Sequence, residues 1–452
     1  MDSTPRRICN DAAFTRLPAE YSKSMFMLNN TTPLWESTHW ALCRARYFDT
    51  SEQRFRLADI EISEGRITAL LSPGASVAKL RVDGSDMTCV PGLIGELVVD
   101  CGDDEFDFCT YAHDAVERGI TTMSVLTDRP VDVSTALRRA GLRAEIYCGV
   151  RDQSLGHSLS DAVCDVTRAL DVHRTLIRTL DNGLVRISPA IRSQSFASSH
   201  LTVQLHAFAK ANARRLLVNV DSGRPHHNAF HDAYGCSGSL LLRSLGVLDT
   251  HTIALLDPTL SRHDLNLLAD SATGVAIVDP TMLTKGTPAS RILRRILRSG
   301  RGALMCRRTD ADARSATVAR SSRAFGWASL RNVQDIADII INTMTHAGSA
   351  ALGLSAIGRI DPGAYADFAI YDSPISVDSA ASTVTDSWQL LDLIATHRPR
   401  SVIIDGQWRL HDYQRPVEMR QGPAIAPDAE SGFVRPVTTG RPAVRYPVCK
   451  SE

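Results

Sequence analysis

Ile357-Gly358-Arg359-Ile360-Asp361-Pro362-Gly363-Ala364-Tyr365-Ala366-Asp367-Phe368-Ala369-Ile370-Tyr371-Asp372 is the stretch on which the reading of the fold turns. It is a strand-turn signal, and a second one, Val402-Ile403-Ile404-Asp405-Gly406-Gln407-Trp408, follows about thirty residues later. Matching signals stand far upstream. Ala41-Leu42-Cys43-Arg44-Ala45-Arg46 and Ala58-Asp59-Ile60-Glu61-Ile62 alternate in polarity, Ser63-Glu64-Gly65-Arg66 supplies a turn, and Ile67-Thr68-Ala69-Leu70 returns. That is a hairpin pattern, and it predicts a small antiparallel sheet.

The pattern changes between Val90 and Leu354. Short apolar runs, each suited to a fully buried parallel strand, alternate with amphipathic helical segments. The strand candidates are Leu93–Asp100, Thr121–Thr127, Ala144–Val150, Leu184–Pro189, Leu216–Val220, Thr252–Asp257, Gly274–Val278 and Ala303–Arg307. Helical segments include Tyr111–Arg118, Leu201–Ala213, Ser239–Leu245, Arg262–Ala269 and Ala289–Arg298, and Asn332–Leu354 follows the last strand. Eight βα units is the number that closes a parallel barrel. The alternative, a doubly wound open sheet, stops at fewer strands and carries a Gly-rich nucleotide turn, which follows none of these runs.

Composition bounds the function classes. Of 452 residues, 44% are hydrophobic and 22% charged, and fifty Lys+Arg balance fifty Asp+Glu. No global field therefore points to nucleic acid or an anionic membrane. Arg291, Arg294, Arg295, Arg298 and Arg301 recur with leucines between them, which reads as a solvated helix face before a phosphate-binding patch. No apolar run is long enough to span a bilayer, and the N-terminus shows no secretory signal. Ten scattered cysteines without a CxxC pair predict reduced thiols in a cytoplasmic protein.

These pieces together resemble the amidohydrolase superfamily, in the branch of ring deaminases and dechlorinases that holds guanine deaminase, atrazine chlorohydrolase and methylthioadenosine/S-adenosylhomocysteine deaminase. The resemblance covers roughly residues 40 to 412. Ala58–Leu70 is similar to the family's opening sheet, Val90-Pro91-Gly92-Leu93-Ile94 to the approach to barrel strand 1, and the run at 357–372 to the strand that returns the chain to the opening sheet. It implies an α/β chain with a (β/α)8 TIM barrel, residues 91–355, beside a small composite β-sandwich built from 38–90 and 356–413. Residues 1–37 are then a flexible extension and 414–452 a loosely ordered tail.

Family members bind one divalent metal with His-X-His on barrel strand 1, a His on strand 5, a His on strand 6 and an Asp on strand 8; the metal lowers the pKa of bound water and a Glu beyond the strand-5 His shuttles protons. Carried over by position, the strand-1 ligands fall on Leu97 and Val99, the strand-5 ligand on Asn219 and its Glu on Ser222, and the strand-6 ligand on Asp257. Only strand 8 keeps its ligand type, Asp310 in Arg308-Thr309-Asp310. Neither a leucine nor a valine donates an electron pair, and the chain contains no His-X-His. The resemblance therefore implies a degenerate metal site and no cofactor.

Polar residues at the expected strand ends are Asp100, Thr127, Asp128, Arg151, Asp152, Ser188, Asn219, Asp221, Asp257, Asp279, Arg307, Arg308 and Asp310. Asp310 pairs with a neighbouring arginine in the plainest reading. In a sharper one Asp257 and Asp310 form a carboxylate pair whose repulsion raises one pKa for metal-free acid–base work. With Asn219 they are also an oxygen set for Mg²⁺. Asn219, Asp221, Asp100, Arg308 and Ser188 are the substrate-binding candidates. Gly223, Pro225 and Gly235 argue that His226, His227 and His231 lie in a solvated loop before they argue for a helical metal or base pair. Cys101 and Cys306 read as structural thiols, with nucleophilic roles as the alternative.

Three functions stay open. One is a divergent, metal-independent enzyme that binds a small polar or nitrogen-heterocyclic ligand at the barrel mouth. Another is an inactive scaffold or assembly partner, with homo-oligomerisation possible in either case. A third is a metal hydrolase with relocated ligands. None involves nucleic acid or a membrane.

Overall fold

The computed structural model describes residues 37–102, 106–155, 165–220, 225–256, 260–277, 283, 287–309, 337–372 and 385–415, with the backbone alone at 225–228, 307 and 308. The N-terminal extension up to residue 36 and the tail beyond 415 lie outside the described residues.

Five strands precede the barrel: β1 (His39–Asp49), β2 (Arg54–Ser63), β3 (Arg66–Leu71), β4 (Arg81–Asp83) and β5 (Met87–Pro91). Eight form it: β6 (Leu93–Val99), β7 (Ile120–Thr127), β8 (Arg143–Gly149), β9 (Val185–Ile191), β10 (Leu216–Val220), β11 (Thr252–Leu256), β12 (Gly274–Ile277) and β13 (Ala303–Arg308). They are parallel, and β13 closes onto β6 through Cys306–Leu97, Arg307–Val98 and Arg308–Val99. All eight apolar runs read from the sequence are barrel strands, with ends shifted by a residue or two.

The helices are α1 (Phe108–Val116), α2 (Pro130–Ala140), α3 (Val166–Leu180), α4 (Ser199–Ala211), α5 (Pro225–Tyr234), α6 (Gly238–Ser244), α7 (Arg262–Ala269), α8 (Pro288–Arg298), α9 (Ala337–Thr343), α10 (His346–Leu352) and α11 (Asp386–Thr396). Serine or threonine caps start five of the eleven: Ser198, Ser237, Ser261, Thr287 and Thr385 each accept from a backbone N–H of the first turn. One expectation is corrected. Residues 225–234 are helical, because Pro225 occupies the first position, where a missing N–H costs nothing, and Gly235 follows at φ +65°. The pair read as loop residues are the start and stop signals of α5. Of another run, 332–354, the described part from residue 337 is divided into α9 and α10. At the break the Met344 carbonyl accepts from Ile94 N at 2.7 Å, beside the irregularity in β6.

Strands β14 (Phe368–Asp372), β15 (Ser401–Ile404) and β16 (Gln407–Leu410) return the chain to the opening strands. Together they make one sheet in the order β16-β15-β14-β5-β1-β2-β3, with β4 beside β1. Trp40 of β1 and Trp408 of β16 stand four strand spacings apart, roughly 19 Å along a flat sheet. Their ring centroids are 5.2 Å apart. The sheet is therefore curled over its own core of Trp40, Ile60, Phe368 and Ile403, which is how one sheet makes a sandwich-like body. Two hairpin turns meet at its rim. Glu64-Gly65 and Asp405-Gly406 both have positive φ, and a side chain on Gly406 would lie 2.7 Å from Gly65 Cα.

A buried clasp fastens this sheet to the barrel. Arg143, first residue of β8, donates to Asp367 Oδ2 at 2.8 Å and Oδ1 at 3.2 Å, to Asp405 Oδ1 at 3.2 Å and to the Gly183 carbonyl at 3.0 Å. Its guanidinium also lies 3.9 Å over the Tyr365 ring.

Removing one partner of a buried ion pair strands the other charge. Arg143→Met accordingly loses about 3–5 kcal/mol of unfolding free energy in urea titrations. Gly406→Ala costs about 1–2 kcal/mol from its left-handed backbone alone, and more from the contact with Gly65. Both measurements are made on the full chain by the same unfolding curve.

Candidate functional site

Barrel chemistry sits at the C-terminal ends of the strands, so lateral pairing decides which side chains face the lumen there. Leu97 lies beside Ser124 and Cys306, Val99 beside Leu126, and Asn219 beside Leu255. Laterally paired residues on parallel strands point the same way. Leu97, Val99, Leu126, Tyr147, Ala190, Leu217, Leu255, Ala276, Leu304 and Cys306 share one buried cluster, the lumen core. Leu97 is 0% exposed and Val99 7%. Two positions assigned to imidazole ligands by resemblance thus place hydrocarbon in the lumen.

A charged rim lies above this core. The buried Asp100 carboxylate accepts from Thr127 Oγ1 at 2.7 Å, Arg129 Nε at 3.2 Å, Arg129 Nη2 at 3.1 Å and Gly102 N at 3.0 Å. Those four donors occupy it, so its role in the rim is structural. Asp152 is likewise taken up, by Ser198 N at 2.7 Å and Ser198 Oγ at 2.5 Å, at the start of α4. Ser188 is fully buried and donates to Glu145 inside the lumen, below the mouth. Asn219 stands near the mouth, but its amide donates to the Arg192 carbonyl at 2.9 Å.

Arg192, one residue past β9, is the feature the sequence reading missed. Its guanidinium crosses the end of β8 to donate to the Asp100 carbonyl and approaches Asp128 Oδ2 at 3.2 Å. Gly149 makes that crossing possible, since a Cβ there would lie 2.7 Å from Arg192 Cγ. Among the described rim carboxylates Asp128 is the least occupied, with its side chain 23% exposed and Arg192 as its ion-pair partner. Burial pushes its carboxyl above the ordinary aspartate range, while Arg192 and Arg151 pull the other way. The signal for Arg192 was its place immediately beyond a buried strand, where a charged side chain can only turn to the mouth or to solvent.

Cys101 donates its N–H to Thr309 Oγ1 at 3.0 Å and its thiol to the Val99 carbonyl at 3.6 Å. Cys306 is buried in the lumen core. His231 is exposed on α5. Asp221, Asp257, Asp279 and Asp310, and the side chains of His226, His227, Arg307 and Arg308, lie outside the described residues. Among the described residues no group of three or more His, Cys, Asp or Glu could hold a metal ion. Aliphatic Leu97 and Val99 and a committed Asn219 amide do not fit a transition-metal site.

No protein-family model matches the chain, and no curated protein matches it significantly. Solved structures do share its fold. Atrazine chlorohydrolase from Arthrobacter aurescens, in complex with zinc, superposes with a TM-score of 0.65 at 16% identity, over 84% of this chain and 96% of that one. An amidohydrolase from an environmental sample of the Sargasso Sea gives 0.63 at 16% identity, over 85% and 97%. An adenosine deaminase from Xanthomonas campestris with bound zinc gives 0.62 at 15% identity, over 84% and 97%.

Arg192→Met removes the cation that opposes the upward shift of Asp128, so that carboxyl titrates at still higher pH. A folded-state pKa above the unfolded one makes stability fall as pH rises through it. The variant therefore loses unfolding free energy more steeply than the parent as pH climbs from the ordinary aspartate range, measured by urea unfolding at a series of pH values.

Proposed function

We propose that this chain is an amidohydrolase-type protein that works without the metal of its structural neighbours, binding a small polar, nitrogen-heterocyclic ligand at the barrel mouth. The observation that carries this reading is the pair Leu97 and Val99, lumen-facing and buried in the apolar core directly beneath a charged rim. Two neighbours of this fold were crystallised with zinc. Here the first two ligand positions offer no lone pair, so no hydroxide is activated there by a cation.

What remains at the mouth is acid–base and hydrogen-bonding chemistry. Asp128 supplies an acceptor that the fold leaves largely unsaturated, and Arg192 supplies donors beside it. A planar nitrogen heterocycle offers N–H groups and ring acceptors to such a pair. Asp257 and Asp310, which follow β11 and β13 in the sequence, are assigned the proton transfers: one carboxylate takes a proton while the other, kept neutral by repulsion, donates. Asp221 and Arg308 complete the proposed binding set, with Asn219 contributing only what its bond to the Arg192 carbonyl leaves; Asp100 and Ser188 leave it, because the fold uses their polar atoms. Among the described residues no helix is long and apolar enough to cross a membrane.

The scaffold reading has one observation in its favour. Asp100 and Asp152, two of the rim's carboxylates, are saturated by donors of the fold itself. A protein that only recruits partners would show this economy of free polar groups.

Elemental analysis of protein purified without chelators tests the metal-free claim: substoichiometric zinc and iron are expected, and one tightly held ion per chain overturns it. Screening amino- and oxo-substituted heterocycles for turnover then separates enzyme from scaffold. Asp257→Asn and Asp310→Asn each lower kcat by about 10²-fold or more on any substrate found, and unchanged turnover removes the acid–base assignment.

A further inference from the structure

Below the mouth, the lumen face of β7 and β8 carries polar side chains that the barrel itself does not satisfy. Thr122, Ser124, Glu145 and Tyr147 are each 0% exposed. Thr122 Oγ1, Ser124 Oγ, the Tyr147 hydroxyl and Glu145 Oε2 have no hydrogen-bond partner in the protein. Ser124 lies laterally between Leu97 and Glu145, and Tyr147 between Leu126 and Ser188, so these groups share one face. Glu145 Oε1 accepts from Ser188, while Oε2 stands 3.3 Å from Arg186 Nε without a hydrogen bond. Leaving four such atoms dry inside a barrel is costly, since each forfeits its hydration for nothing.

The surroundings select the occupant. Val99, Leu126, Leu255 and Tyr147 belong to one buried cluster, so these polar atoms sit among hydrocarbon. Glu145 and Arg186 form a pair of no net charge, which favours neither a cation nor an anion. Hydroxyls both donate and accept, which suits a small neutral molecule that does the same. We infer that the barrel lumen holds a cluster of ordered waters, bound by Tyr147, Ser124, Thr122 and the second oxygen of Glu145. Buried waters of this kind make about three hydrogen bonds each, and this set provides them. The cluster solvates the Glu145–Arg186 pair from inside and is independent of what the mouth binds.

A crystal structure of the native chain at a resolution that resolves water tests this directly. Peaks within hydrogen-bonding distance of the Tyr147 hydroxyl and Glu145 Oε2 are expected; a dry lumen at that resolution overturns the inference. Tyr147→Phe and Ser124→Ala give a second readout whose sign discriminates. If waters are anchored there, each variant loses roughly 1–3 °C in Tm. If the hydroxyls are unsatisfied, deleting either one leaves Tm unchanged or raises it, and the inference falls.

Discussion

Everything in this molecule is hung on one buried carboxylate. Asp367 accepts both arms of Arg143 at the foot of β8 and the Asp405 N–H at 2.7 Å, and its own carbonyl accepts from Gly92 N at 2.8 Å just before β6. One residue thus ties together the first barrel strand, the third, and two strands of the sheet. A charge removed from water survives only where its partners are complete, and the sheet also meets the barrel through the apolar packing of Phe48, Val90, Ala369, Tyr371, Val402 and Ile404. Tyr365, two residues earlier, is held between Arg143 at 3.9 Å and Arg66 at 4.2 Å, which adds a cation on each face of one ring.

With the frame fixed at the bottom, the top is free to differ from its structural neighbours. The barrel interior is layered: ion pairs and hydroxyls from Glu145, Arg186 and Ser188, then hydrocarbon from Leu97, Val99 and Leu255, then charge again from Asp100, Arg129, Asp128 and Arg192. The middle layer isolates the two polar ones. Coulomb interactions across it act through low dielectric.

Most of the frame was legible in the sequence, and the reason is periodicity. Barrel strands buried on both faces read as short continuous apolar runs, and Leu216–Val220 and Arg262–Ala269 match their elements residue for residue. The hairpin at Ser63–Arg66 was legible because Glu-Gly fits a turn that needs positive φ twice. Illegible features were those set by distant partners. No local pattern says that the Asp100 carboxylate meets Arg129, that Ser188 turns to Glu145, or that Arg192 reaches two strands away. Helix α5 was missed for another reason: proline and glycine end some helices and begin or follow others, and position alone distinguishes the cases.

Gly149 has a bearing on how such a mouth could change over generations. Arg192 can lie across the rim only because the residue beneath its stem has no side chain. A single methyl at that point would meet the Arg192 stem at 2.7 Å and displace the arm that lies beside Asp128. The place of a guanidinium at the rim is thus governed by one codon on another strand, and alanine or serine there is the shortest mutational route to moving it.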